Sequence, residues 1–315
     1  MRKCFYSYFF VGCLILLLFG RFSHGADKTA KGIEDIRSPV VAGSWYSEKP
    51  DELRETLQAY LAEDCPELPN VEVKGIIAPH AGYRYSGAVA ACAYRILKGK
   101  SFTRVVLVGP SHRLSFRGIS INLQSGYESP LGPVPVDAET ARKLVDAGPE
   151  FRWLREAHAM EHSLEIQLPF LQEVLGTFRI VPVIMGRQDF ATCKVLAKAL
   201  VDLLGHERNT LFVASTDLSH YHSYIEARKL DGEFINYVAA LDPQGLARSL
   251  MSGKCEACGG GPVISVMLTA AAIGADEARI LRYANSGDVT GDRHRVVGYL
   301  AAAFVRSSGK GPHPR

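Results

Sequence analysis

The sequence predicts a single α/β domain with a mainly parallel central sheet and helices on both faces. Apolar runs rich in β-branched residues alternate with amphipathic segments through most of the 315-residue chain, as in folds built from βαβ units. The apolar runs are continuous, so the strands should be buried on both faces, as parallel strands are. A chain of this length can also bury one large core.

Six strands and eight helices are expected. The strands are predicted at residues 74–78, 104–108, 178–184, 210–215, 279–284 and 296–304. The helices are predicted at residues 51–62, 86–98, 138–147, 162–175, 190–204, 225–240, 243–251 and 262–273. Asp137 should cap the helix that follows it, because its carboxylate can accept a hydrogen bond from a free N–H of the first turn.

The N-terminus has the pattern of a secretory signal peptide. A short positive start precedes an apolar stretch at residues 9–19, and small residues follow near Ser23 and Gly25. The apolar stretch is shorter than the roughly 20 residues that a spanning helix needs. We therefore expect an exported protein, periplasmic or extracellular, or a membrane-anchored one if the segment is not cleaved. The predicted divisions are a signal peptide or anchor at 1–26, a linker at 27–37, the α/β domain at 38–306 and a disordered tail at 307–315.

The charge balance gives no indication of a nucleic-acid partner. The chain has 36 Lys and Arg against 33 Asp and Glu. A nucleic-acid-binding domain would cluster its basic residues on one face, and the basic clusters here are short. We expect no nucleic acid among the ligands.

Chemically active side chains follow three predicted strands. His80, His112, Asp217 and His220 each come within a few residues of the end of a strand. Because the carboxyl ends of neighbouring parallel strands meet at one crevice, these side chains should converge there. Histidines and a carboxylate with open positions suit a divalent transition metal, non-haem iron above all. Histidines that bind no metal would provide acid–base groups near neutral pH.

The segment KCEACGGGPV contains the pair Cys255 and Cys258. A single CxxC is compatible with half of a zinc ribbon, with a redox disulfide, or with one ligand beside a second cysteine. A second CxxC is absent from the sequence, which excludes a Cys4 zinc site. The glycines after Cys258 should bend the chain into a helix, and a helix N-terminus stabilises a thiolate and lowers its pKa. Cys258 is therefore the better candidate for a ligating thiol. The alternative is a structural Cys255–Cys258 disulfide in an oxidising compartment.

A third pattern, HxxEH, is formed by His158, Glu161 and His162. In inverted zinc peptidases the two histidines share a helix face, and the glutamate activates water. Helical periodicity here begins only at Leu164, so we interpret the match as mostly coincidental. His162 and Glu165 could still line the crevice from the start of the following helix.

Several motifs together resemble the Memo family, whose bacterial form is called AmmeMemoRadiSam system protein B. In chain order they are VAGSWYSEKPDEL, IIAPHAGYRYSG, VVLVGPSHR, EHSLEIQLPFL, IVPVIMG, STDLSH, CGGGPV and YANSGDVTGDRHRVVGYLAAAF, from about residue 38 to 305. The resemblance implies a fold similar to the catalytic B subunit of class III extradiol dioxygenases, which use non-haem ferrous iron. It also implies a metal held by two histidines and a cysteine, which match His80, His112 and Cys258 here.

The resemblance extends to neighbouring residues and to partners. Asp217 and His220 match the family's nearby aspartate and histidine, and we expect them, with His162 as a weaker candidate, to act as acid–base or orienting groups. The bacterial name implies radical-SAM and AMMECR-type partners, from which export would separate this chain.

The predicted function is metal-dependent oxidoreduction at iron or copper, with oxidase- or dioxygenase-like chemistry on an unidentified small molecule or peptide. The alternative is a non-catalytic metal- or peptide-binding module on the same fold.

Overall fold

The computed structural model describes residues 35–307. The predicted signal peptide or anchor and the predicted tail after Ser307 lie outside the described residues, as does most of the predicted linker. The end of that linker belongs to the folded structure, because Ile36–Arg37 is a strand and the Arg37 side chain is buried.

Twelve strands occur between residues 35 and 307. In chain order they are β1 (Ile36–Arg37), β2 (Val71–Ala78), β3 (Arg104–Pro110), β4 (Ile119–Ile121), β5 (Gly126–Tyr127), β6 (Val134–Pro135), β7 (Phe151–Arg152), β8 (Arg179–Met185), β9 (Thr210–Ser215), β10 (His220–His222), β11 (Glu277–Asn285) and β12 (Val296–Ser307). All six predicted strands are present. The unpredicted ones have only two or three residues, too few to show a hydrophobic period.

Ten α-helices occur in the same part of the chain. They are α1 (Pro50–Ala62), α2 (Tyr83–Arg95), α3 (Ala138–Val145), α4 (Arg155–Ala159), α5 (Leu168–Leu175), α6 (Phe190–Leu204), α7 (Tyr224–Ala239), α8 (Pro243–Met251), α9 (Gly260–Ala272) and α10 (Ser286–Thr290). The predicted helix at 162–175 begins later, as a 3₁₀ turn at Glu165–Gln167 that leads into α5. The predicted cap is confirmed, since the Asp137 carboxylate accepts a hydrogen bond from the Thr140 N–H.

Nine strands form one sheet in the order β10-β12-β2-β9-β3-β8-β4-β7, with β11 also paired to β12. The four central strands β2, β9, β3 and β8 run parallel. Antiparallel pairing joins β12 to β2, and β4 to β8. Helices pack on both faces, α2 against β12 and β2, and α9 against β9, β2 and β3. The predicted single-domain α/β fold is confirmed, with antiparallel strands flanking a parallel centre.

The central strands are buried on both faces, as their continuous apolar sequences predict. Every residue of β9 is buried, and all but the first residue of β3 are buried too. Such a sheet is a rigid platform for side chains placed just beyond its strand ends. No helix within residues 35–307 is long and apolar enough to cross a membrane.

A disulfide joins Cys65, in the loop after α1, to Cys92 in the middle of α2. Cys193, Cys255 and Cys258 are free cysteines in the described part of the chain. The alternative of a Cys255–Cys258 disulfide is therefore wrong. Cys258 remains available for other chemistry.

Candidate metal centre at the carboxyl end of the sheet

The strand order places three of the predicted residues beside one another. Strand β9 lies between β2 and β3 and is parallel to both, so their carboxyl ends open at one edge of the sheet. His80, His112 and Asp217 follow these three strands and line a cleft of about 910 Å³. His162 and His220 line the same cleft, so the convergence expected from the strand ends occurs.

His80, His112 and Cys258 bring ligand atoms to a common point. One ligand-type atom from each lies within 4.8 Å of the other two, and His80 Nε2 is 3.1 Å from Cys258 Sγ. Metal bonds of about 2.0–2.3 Å hold neighbouring ligand atoms about 3–4 Å apart. The three side chains could therefore hold one ion with small adjustments.

The hydrogen bonds of His80 leave the correct nitrogen free for a metal. The Ser215 hydroxyl donates to the Ser163 carbonyl oxygen at 2.6 Å, so it can only accept from His80 Nδ1, 2.8 Å away. Nδ1 then carries the proton, and the Nε2 lone pair faces Cys258. Burial and the neighbouring His112 lower the pKa of His80 well below its ordinary value, which keeps the ring neutral.

The hydrogen bonds of His112 have the same consequence. Its Nδ1 is 2.9 Å from Glu161 Oε1, and its backbone N–H donates to Glu161 Oε2 at 2.6 Å. A carboxylate can only accept, so Nδ1 carries the proton and Nε2 has the lone pair. Burial would raise the pKa of Glu161, but the hydrogen bonds from His112 outweigh it and lower that pKa to about 2.

Cys258 is held against the sheet by a close-packed turn. The Gln188 amide donates to the Cys258 carbonyl oxygen at 2.9 Å and accepts from the Gly261 N–H. A Cβ at Gly259 would lie 2.3 Å from the Ser215 carbonyl oxygen, so only glycine allows this approach. The turn therefore fixes the thiol beside His80.

The expected lowering of the Cys258 pKa by the helix N-terminus is wrong. Burial and the nearby Asp217 carboxylate raise the pKa of this thiol. The contribution of one helix end is too small to offset the loss of water around a sulfur anion. A thiolate here would need a cation beside it, as a bound metal would provide.

Asp217 and His220 both line the cleft. Asp217 Oδ1 accepts from the backbone N–H groups of His80 at 2.7 Å and Ala81 at 3.3 Å. Burial raises the pKa of Asp217. His220 Nδ1 lies 2.7 Å from the Leu218 carbonyl oxygen, so it donates there, and Nε2 is the acceptor.

His162 is packed against the rings of Trp45 and His112. Its ring centroid is 4.5 Å from that of Trp45 and 4.5 Å from that of His112. Its Nδ1 is buried without a hydrogen-bond partner among the described residues, and burial lowers the pKa of His162 to about 3. His162, Glu161 and His112 form a second group whose ligand atoms lie within 4.8 Å of one another.

Glu165 does not line the cleft, contrary to the sequence-based expectation. Its carboxylate is fully buried and pairs with Arg37 at 2.8 Å. It also accepts from the Val41 N–H and the Tyr46 hydroxyl. The late helix start turns this residue towards the N-terminal strand, where it anchors the segment that contains Trp45.

His158 belongs to the core and not to the cleft. It is completely buried, with Nδ1 2.8 Å from the Tyr127 hydroxyl and Nε2 3.0 Å from the Ser120 hydroxyl. Both ring nitrogens are engaged, so His158 cannot share a metal with His162 as an inverted zinc peptidase requires.

We expect His158→Gln to leave metal binding unchanged and to reduce the pH dependence of stability. Burial lowers the pKa of His158 to about 3, against about 6.5 in an unfolded chain. Between these values only the unfolded chain binds the proton, so the stabilisation is complete above pH 6.5 and decreases as the pH falls. Between these pKa values, His158 should make the free energy of unfolding fall by about 1.4 kcal/mol for each pH unit of acidification, and the variant should lack this contribution. Urea denaturation between pH 4 and 7 measures the pH dependence of stability, and metal analysis measures binding. Loss of bound metal in the variant would favour the inverted zinc peptidase pattern.

Sequence reasoning missed three supporting residues. Trp45 packs on the His162 ring, and Ser215 and Glu161 are hydrogen-bonded to the rings of His80 and His112. Ser215 was detectable in principle, because it ends a predicted strand two residues before Asp217. The other two act across 49 or more residues of sequence, and no local pattern indicates such contacts.

The comparisons with known proteins identify the family. A family model described as Memo-like protein matches residues 37–303. The chain belongs to the Memo family. It is 39% identical over 280 residues to a MEMO1 family protein of Methanopyrus kandleri, covering 86% of this chain and 99% of that protein. It is 38% identical over 272 residues to a MEMO1 family protein of Methanothermobacter thermautotrophicus, covering 84% and 98%.

A bacterial relative is similar to the same extent. The MEMO1 family protein of Thermotoga neapolitana is 38% identical over 280 residues, covering 85% of this chain and 99% of that protein. The resemblance found from the motifs is thus confirmed. All the predicted site residues lie inside the Memo match.

Proposed function

We propose that this Memo-family protein is a metal-dependent oxidoreductase whose iron or copper ion is held by His80, His112 and Cys258. The observation that supports it is the approach of three ligand atoms to within 4.8 Å of one another. Two imidazoles and one thiolate are a donor set that suits both metals. The donor set fits because both imidazoles carry their proton on Nδ1, which is hydrogen-bonded to Ser215 in one case and to Glu161 in the other. The Nε2 lone pairs can therefore bind a metal, and that of His80 already faces Cys258 Sγ at 3.1 Å.

The bound metal would supply redox chemistry and a Lewis acid for dioxygen or substrate. The protein's own part is to bind the substrate in the cleft above the ligands. Trp45 and Tyr299 provide apolar walls of that cleft. His80, at 2% exposure, and His112 line this cleft, so a substrate bound there would cover the two imidazoles and exclude water from them.

Asp217 would act as a general acid and His220 as a general base. The raised pKa of Asp217 favours a carboxyl group that keeps a proton closer to neutral pH and can donate it to a substrate oxygen. The free Nε2 of His220 would accept a proton from a substrate hydroxyl. Asp217 lies in the loop after β9 and His220 begins β10, and both line the cleft, so one substrate could contact both.

We also propose that the protein works outside the cytoplasm. The disulfide between Cys65 and Cys92 supports this, because disulfides form and persist mainly in oxidising compartments. The signal-peptide pattern at the N-terminus agrees with it.

Anaerobic reconstitution tests the function. Apo-protein is loaded with Fe(II), Cu(I) or Zn(II), its metal content is measured, and oxygen uptake is followed with catechols and thiols. We expect one ion per chain and oxygen uptake with iron or copper but not with zinc. Tight metal binding with no uptake for any substrate would contradict an oxidoreductase and favour a non-catalytic metal-binding module.

A further inference from the structure

Glu161 is the most strongly hydrogen-bonded carboxylate beside the proposed metal ligands. Its side chain is 1% exposed. Oε2 accepts from the His112 N–H at 2.6 Å, and Oε1 accepts from the Ser163 N–H at 2.9 Å. The third donor is the His112 ring at 2.9 Å. The two hydrogen bonds from backbone N–H groups therefore fix the Glu161 carboxylate. The His112 ring is hydrogen-bonded to a carboxylate that is already immobilised.

The backbone of Glu161 is fixed as well. The buried Arg37 guanidinium donates to the carbonyl oxygens of Glu161 at 2.6 Å and His158 at 2.7 Å. It also pairs with Glu165 at 2.8 Å. The N-terminal strand thus ties the Glu161 loop to the domain, so neither the loop nor the carboxylate can easily turn away from His112.

The Glu161 carboxylate is hydrogen-bonded to the ring of His112 but not to the ring of the adjacent His162. His162 Nδ1 is 3.6 Å from Glu161 Oε1, which is too long for a hydrogen bond. His80 has a neutral partner instead, the Ser215 hydroxyl. The two proposed imidazole ligands therefore differ, because only His112 has a charged acceptor behind it. A carboxylate in this position fixes the tautomer and orientation of an imidazole and makes its other nitrogen a stronger donor to metals.

We propose that Glu161 is a positioning residue that fixes His112 in the Nδ1–H tautomer and strengthens its Nε2 as a ligand. The part of this inference that concerns Nε2 as a ligand rests on the proposed metal site. The tautomer of His112 is a property of the metal-free protein and can be measured without any metal.

The test compares Glu161→Gln with Glu165→Gln. Both replace a buried carboxylate by an isosteric amide on the same segment, but only Glu161 touches a site histidine. The first measurement is the imidazole ¹⁵N chemical shifts of His112 in metal-free protein. The second is Co(II) affinity by competition with a chelator, followed through the thiolate-to-cobalt absorption band. Glu161→Asp, which keeps the charge but shortens the side chain, is a second variant if the amide variant folds poorly.

We expect wild-type His112 to carry its proton on Nδ1 and Glu161→Gln to give a mixture of tautomers. Co(II) affinity should fall by about 10–100-fold in Glu161→Gln and stay within about threefold of wild type in Glu165→Gln, even though that variant loses stability. A wild-type proton on Nε2, or equal effects of the two variants, would overturn the inference. Failure of wild-type protein to bind Co(II) would contradict the proposed function, and the ¹⁵N shifts would still decide the role of Glu161.

Discussion

Cys258→Ser is expected to lower the metal affinity of the protein by more than about a hundredfold. Loss of a residue that only orients a ligand costs about 10–100-fold, and here a ligand itself is removed. A serine hydroxyl does not become an anion at neutral pH, so it cannot replace the thiolate. Metal content after dialysis against a weak chelator, and affinity by competition, measure the effect.

Cys255→Ser is the matched control for this prediction. Cys255 is a buried free cysteine three residues earlier, and it belongs to neither group of potential ligands within the described residues. Its affinity should stay close to wild type. The thiolate-to-cobalt absorption band provides a second readout, since it should persist in Cys255→Ser and disappear in Cys258→Ser. Equal metal content in the two variants would contradict a ligand role for Cys258.

Removing the disulfide with Cys65→Ala and Cys92→Ala together should lower the free energy of unfolding by about 3–4 kcal/mol. The bond closes a loop between residues 27 apart in sequence, and a cross-link of this span restricts the unfolded chain by about that amount. Denaturation of wild type and variant in urea checks it. Wild-type protein with reductant should approach the stability of the variant.

Cys193→Ala controls for the loss of a buried sulfur without loss of a cross-link. Cys193 is fully buried and free, and its thiol donates weak hydrogen bonds to the Gln188 and Gly261 carbonyl oxygens. Its replacement therefore removes packing and these weak bonds but no cross-link. A double variant no less stable than Cys193→Ala would show that the disulfide contributes little. The metal affinity of the Cys65→Ala, Cys92→Ala double variant should equal that of wild type, because neither Cys65 nor Cys92 lines the cleft.

The sequence predicted those parts of the fold whose signals are local. Strand β9 has the predicted bounds of 210–215, since six consecutive apolar or small residues end at polar loops. Parallel pairing followed from burial on both faces, and it brought His80, His112 and Asp217 to one edge. The order of strands at the antiparallel flanks was not predictable, because it depends on pairings distant in sequence.

The supporting contacts of the site show why the rest could not be predicted. Glu161 belongs to the HxxEH pattern and precedes His162, yet its hydrogen-bond partner is the ring of His112, 49 residues earlier. The disulfide between Cys65 and Cys92 could not be predicted either, because the spacing of cysteines alone does not give their connectivity. In both cases the deciding contact exists only after the chain has folded.

X-ray absorption at the metal edge identifies the atoms bound to the ion and their distances from it. In iron- or copper-reconstituted protein, we expect one sulfur at about 2.3 Å and imidazole nitrogens at about 2.0 Å from the metal. The sulfur contribution should disappear in Cys258→Ser. A first shell of nitrogen and oxygen alone in the wild-type protein would contradict a metal centre formed by His80, His112 and Cys258.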